Sequence, residues 1–148
     1  MRPPEEFDRL AAVLAPQITL DYSEQPLAVK HKLTADQFVK LSNNENRLGG
    51  MVDCSHHVGA SKFERTGPDT VTGHHQVFVE YKRYKNLEKK EDEVEATGEG
   101  LTMMLHYYQK VDGKWKLAGV KPRVRMSQFN FPEIFKKPQQ KDTKKSKL

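Results

Sequence analysis

Six histidines and five tyrosines are the residues of this 148-residue chain best suited to moving protons. An imidazole titrates near neutrality, so in an apolar pocket it can act as general acid or base. A phenol can polarise a carbonyl or hold a water. Five of the histidines, His56, His57, His74, His75 and His106, lie in runs that read as strands. Neighbouring strand residues point to opposite faces, so each His-His pair gives at most one ring to an interior. In Thr70–Tyr84 the more apolar face is Val71, Gly73, His75, Val77, Val79 and Tyr81. That places His75 and Tyr81 inward and His74 outward; alternation alone leaves His56 against His57 undecided.

Other chemistries find less support. Three inward histidines could hold a metal with an open position. The short ligand spacings are missing, however, and acidic helpers are scarce in the strands, so no metal and no cofactor are expected. Nucleophilic catalysis has neither an elbow motif nor a Cys/His pairing behind it, and the single Cys54 reads as a filler. Gly98-Glu99-Gly100 sits inside a strand and is no phosphate loop.

The elements that must position these residues read as α+β. Glu5–Leu14 has helical apolar spacing and is stopped by Pro16. Gln17–Ser23 alternates like a strand, and Glu24–Leu33 reads as a loop. Thr34-Ala-Asp-Gln37 is a capping box opening a second helix, which ends in a polar turn over Asn43–Gly50. Four strands follow: Ser55–Arg65, Thr70–Lys85, Glu93–Lys110 and Lys114–Arg125. Gly67-Pro68-Asp69 turns the first pair, and Asp112-Gly113 supplies the positive φ angles of a tight hairpin. Long apolar runs on both sides make that hairpin central to the sheet. Gly98 and Gly100 predict a bulge or bend that lets the sheet curl. Phe129, Phe131, Ile134 and Phe135 form an aromatic closing segment with a short helix. The sum is a cone-shaped, curved antiparallel or mixed sheet packed on N-terminal helices, enclosing one ligand pocket.

The net charge of +5 is localised. Residues 136–148 hold six lysines and one aspartate, so residues 1–135 are close to neutral. A neutral body with a basic tail, predicted disordered, argues against a nucleic-acid groove. No apolar run is long enough to span a membrane, and no secretory signal is read. The single cysteine excludes an internal disulfide and fits a reducing compartment. The tail ends in Ser146-Lys147-Leu148, the peroxisomal address, which implies an import receptor as partner, with the cytoplasm as the alternative.

Three segments, RLAAVLAPQITLDY (9–22), HHVGASKFERTGPDTVTGHHQVFVEYKRYK (56–85) and 105–135 with LHYYQKVDGKWKLAGVKP and QFNFPEIF, resemble the scytalone dehydratase family. The resemblance implies the NTF2-like (SnoaL-like) cone, a homotrimer, and a cofactor-free dehydration beside a ketone that yields an aromatic naphthol. It implies that His56 is the base, with Tyr22 helping to hold a water against the carbonyl. Phe131 and Phe135 match the C-terminal lid, and Val79, Val120 and Pro122 match pocket walls. The chain departs from the family where the second catalytic histidine falls at Tyr81, a pocket asparagine at Met104 and a serine at Thr102. The family's N-terminal Tyr-Asp pair falls near Arg2 and Pro3, which makes the chain N-terminally short against the family.

The expected function is a lyase acting on an aromatic polyketide-type hydroxyketone in fungal-type secondary metabolism or pigment (melanin) biosynthesis. His56, Tyr22 and Tyr81 would be catalytic. His75, Val79, Thr102, Met104, Val120, Pro122, Phe131 and Phe135 would bind a small-molecule substrate. The alternatives are a cyclase, isomerase or decarboxylase on the same fold, or a non-catalytic binding or assembly protein; fold alone does not separate them.

Overall fold

Asp112 and Gly113 both adopt positive φ, 48° and 75°, and close the hairpin that organises the sheet. The structure, a computed structural model, describes residues 4–25, 28–43, 50–86 and 93–137. The hairpin joins β5 (Val94–Val111) to β6 (Lys114–Phe129). Before it come α1 (Pro4–Val13), β1 (Leu14–Tyr22), β2 (Val29–Thr34), α2 (Ala35–Ser42), β3 (Val52–Gly67) and β4 (Thr70–Tyr84). The short α3 (Phe131–Ile134) follows it. The six strands form one sheet in the order β2-β1-β6-β5-β4-β3, so the hairpin is central as its apolar runs require. Neighbours are antiparallel except β1 and β6, which run parallel.

Local chemistry explains most boundaries. Thr34 caps α2 through its side chain, and Gln37 returns the bond to the Thr34 backbone. Helix α1 ends three residues before Pro16, which has no N–H for a ladder. The β1–β6 register accordingly shifts between Leu14 and Thr19. The predicted loop over Glu24–Leu33 is corrected: Val29–Thr34 is a strand. Its residues show no clean alternation because it is an edge strand with most side chains exposed, held by backbone pairing to β1. Gly98 and Gly100 make no bulge with β4, where the register runs unbroken past both. The irregularity lies beside them, between Leu101 and Thr102 on the β6 side.

Leu14, Ile18 and Leu20 form a buried cluster on β1. Leu10 of α1, Phe38 and Val39 of α2, and Leu117 and Val120 of β6 pack against it. The helices therefore cover the inner face at its β1–β6 side. At the opposite margin β3 is an edge strand and exposed over most of its length. Residues 44–49, most of the predicted polar turn, lie outside the described residues, as do 138–148 with the Ser146-Lys147-Leu148 end. Lys136 is tied to the fold by ion pairs to Glu95 (2.6 Å) and Glu133 (3.4 Å).

Candidate active site

Residues directly opposite each other in antiparallel strands share a face. On β4 the inner face carries His75, Val77, Val79 and Tyr81. His56 pairs with Val79 and Cys54 with Tyr81, which decides His56 over His57 as the inward ring. Across a bulge, Ser61 pairs with His75 and Phe63 with Gly73. On β5, Thr102 faces Val77, Met104 faces His75 and His106 faces Gly73. On β6, Pro122 faces Met104 and Val120 faces His106. Leu20, the parallel partner of Val120, carries this face on to Tyr22 two residues later. Thus one curved surface gathers His56, Tyr22, Tyr81, His75, Val79, Thr102, Met104, Val120 and Pro122.

At one end Tyr81 is packed by the edges of Phe131 and Phe135, with ring centroids 6.2 and 5.4 Å away. Burial pushes its phenol up to about 12, with smaller contributions from Cys54 and Tyr22. The hydroxyl is therefore a donor across the neutral range. The aromatic pair is held in place from below. Ile134 of α3 is fully buried, and a Cβ on Gly98, opposite Tyr81, would sit 2.9 Å from it. The buried Arg83 donates to the Ile134 carbonyl (3.0 Å) and to Glu95 (3.1 Å).

His56 lies beside this cluster. Its Nδ1 is 3.6 Å from Cys54 Sγ, so the expectation of no Cys/His pairing is overturned. The two residues are at i and i+2 of one strand and so share a face. Surrounding protein, and secondarily His57, lowers the His56 pKa, which favours the neutral, proton-accepting ring. The residue is nonetheless exposed, because β3 is the sheet edge with no strand beyond it. In the single chain the inner face is open along that margin, against the expectation of a closed chamber.

At the other end His75 is an expected site residue, while Ser61, His106 and Tyr108 are not. His75 is buried, and its Nδ1 lies 2.8 Å from Ser61 Oγ. Its Nε2 is 3.4 Å from Tyr108 Oη, which is 3.1 Å from His106 Nδ1. The rings of His75 and His106 are 4.8 Å apart. Burial, then His75, then His56 lower the His106 pKa to about 4. His56 and His106 pair with β4 positions six residues apart, so it is the curl of the sheet that brings them into electrostatic reach. Alternation could have placed His106 and Tyr108 on one face. Their link to His75 needs the β4–β5 register, which sets His106 opposite Gly73 and Tyr108 opposite Val71.

Thr102 Oγ1 is buried without a hydrogen-bond partner. Among the described residues no three His, Cys, Asp or Glu side chains converge to hold a metal ion. No helix among them is long and apolar enough to cross a membrane.

The family model of scytalone dehydratase matches residues 3–143. The chain belongs to the scytalone dehydratase family. A dehydratase of Pestalotiopsis microspora is 36% identical over 132 residues, covering 88% of this chain and 82% of that protein. The scytalone dehydratase of Pyricularia oryzae is 35% identical over 132 residues, covering 88% and 76%. Among solved structures, an NTF2-like protein of unknown function from Prochlorococcus superposes with a TM-score of 0.55 at 16% identity, covering 82% of this chain and 81% of that one. The fold is thus the NTF2-like α+β sheet expected from the sequence. In this member of the scytalone dehydratase family, the positions carried over by resemblance share the inner sheet face or, for Phe131 and Phe135, pack on Tyr81.

Proposed function

We propose that this protein is a cofactor-independent dehydratase acting on an aromatic polyketide-type hydroxyketone, in fungal-type pigment or secondary metabolism. The observation that carries the reading is the single inner face on which a neutral imidazole, His56, stands with the phenols Tyr22 and Tyr81 over an apolar floor of Val77, Val79, Val120 and Pro122. His56 removes a proton α to the ketone, and the two phenols donate to the oxygen as enolate character develops. The hydroxyl then departs with a proton from His56 or a water. Thr102 Oγ1, buried and unpartnered, is a natural contact for a substrate oxygen. Phe131 and Phe135 close over the aromatic rings. Met104 makes the wall more apolar and turns the substrate, so scytalone itself is not the proposed substrate.

The test is incubation with a panel of hydroxylated tetralones and related hydroxyketones, with mass spectrometry for loss of water. Turnover by the natural chain and none by His56→Gln supports the reading. No water loss from any panel member sinks it. A non-catalytic binder would instead hold such compounds with unchanged affinity in both proteins.

Two further proposals concern assembly and location. Phe63 and Val58 on the β3 edge are 62% and 63% exposed, which supports a homotrimer closing the open margin. Sedimentation at a monomer mass would refute it. Ser146-Lys147-Leu148 supports peroxisomal import through its receptor. Deleting these residues should release a fluorescent fusion to the cytosol; unchanged puncta would refute the address.

A further inference from the structure

Four side chains on the inner face form one continuous line of hydrogen-bonding groups. It starts at Ser61, which is exposed, and passes through His75 Nδ1 at 2.8 Å. It continues from His75 Nε2 to Tyr108 Oη at 3.4 Å and ends at His106 Nδ1, a further 3.1 Å on. Every member carries a proton and a lone pair, so a proton entering at one end can leave at the other. With Nδ1 at Tyr108, Nε2 is the His106 nitrogen left to serve a substrate. Gly73 underlies the line: a Cβ there would fall 2.5 Å from His75 Nε2 and 2.9 Å from the Tyr108 ring. Only a bare backbone lets these two side chains meet.

We infer that His106 is the acid of this site, delivering from Nε2 the proton with which the hydroxyl leaves and being resupplied from solvent through Tyr108, His75 and Ser61. The inference rests on the dehydration reading above and puts His106 in place of His56 or a water as the proton donor. Tyr81 stands where the family's second histidine is expected, and it packs against Phe131 and Phe135 rather than in this line. His106, on the strand next to that of Tyr81 and two strands from His56, supplies an imidazole within electrostatic reach of His56. Burial keeps it neutral, so it offers an N–H without a positive charge opposing the one that forms on His56.

The step balances. His56 takes the C–H proton, and that electron pair passes through the enolate into the new C=C bond as the C–O bond breaks. The leaving hydroxyl takes the His106 Nε2 proton and departs as water. His106 Nδ1 takes the Tyr108 proton, Tyr108 takes the His75 Nε2 proton, His75 Nδ1 takes the Ser61 proton, and Ser61 takes one from solvent. His56 returns its proton to solvent. No oxidant or reductant is involved.

The experiment compares the natural chain with His106→Gln, Tyr108→Phe and His56→Gln on the best panel substrate, measuring kcat, KM and the solvent deuterium isotope effect. His106→Gln should lower kcat roughly 100-fold with KM within about threefold, the range of a lost general acid. Tyr108→Phe removes one hydroxyl and neither imidazole. It should lower kcat roughly 10-fold and change the solvent isotope effect from that of a several-proton relay to that of a single transfer, which a merely structural role would not do. If His106→Gln keeps kcat within about threefold while His56→Gln is inactive, the inference is overturned and the dehydration reading stands. If His106→Gln does not fold, Tyr108→Phe decides alone, and an unchanged kcat and isotope effect overturn the inference. A natural chain that releases no water overturns the reading itself, and the inference with it.

Discussion

The imidazole of His75 rests on the bare backbone of Gly73, where a Cβ would lie 2.5 Å from its Nε2. The two residues are i and i+2 on β4 and point to the same face. Gly73→Ala forces the ring aside, and the ring can swing because it is a side-chain tip. The fold should survive at a cost of about 1–2 kcal/mol, while the contact of His75 with Tyr108 is lost. Urea denaturation and turnover check this together: near-normal activity would show that the His75–Tyr108 contact is dispensable.

Gly98 and Gly100 share the inner face and should behave oppositely. A Cβ at Gly98 meets the Phe129 carbonyl at 2.8 Å and Ile134 at 2.9 Å, whereas one at Gly100 meets nothing within 4 Å. A backbone oxygen cannot swing away, so Gly98→Ala should lift α3 and cost about 1–3 kcal/mol. Gly100→Ala should fall within about 0.5 kcal/mol of the natural chain. Amide exchange over 131–135 reads the difference, and equal protection in both variants would contradict it.

Arg83 fastens α3 to β4. Its guanidinium side chain is only 4% exposed and reaches both Glu95 and the Ile134 carbonyl. Arg83→Leu strands that carbonyl, while Glu95 keeps Lys136. The expected loss is about 3 kcal/mol, the lower end for breaking a buried pair. A loss under about 1 kcal/mol would mean that α3 is held by Ile134 alone.

His106 should make stability pH-dependent in a defined window. Its pKa is 6.5 unfolded and about 4 in the fold. Between those values the unfolded chain binds the extra proton, so stability falls as pH drops from 6.5 toward 4. His75, also lowered by burial, adds in the same direction. Melting temperatures across this range should fall less steeply in His106→Asn than in the natural chain. Parallel curves would show that His106 does not titrate this way.

Tyr81→Phe keeps the ring packed against Phe131 and Phe135 and removes only the hydroxyl. If the phenol donates to a developing enolate, kcat should drop roughly 10- to 100-fold with stability nearly unchanged. A drop in stability without a drop in kcat would make Tyr81 a packing residue.

The chain's own order determined whatever depends on neighbours in sequence. Asp112-Gly113 fixed a turn, Thr34 and Gln37 a helix start, and the alternation of Val71 to Tyr81 an inner face, because each rests on contacts within a few residues. The sequence also sufficed for the family, through motifs that keep their spacing. Tertiary structure decided what depends on register between distant strands. It turned His56 inward rather than His57, set Cys54 beside it, and paired an exposed β2 whose side chains carry no pattern. It also joined Ser61, His75, Tyr108 and His106, which lie up to 47 positions apart in the chain. A single-residue slip at a bulge moves a side chain to the other face, and local sequence does not reveal where two strands slip.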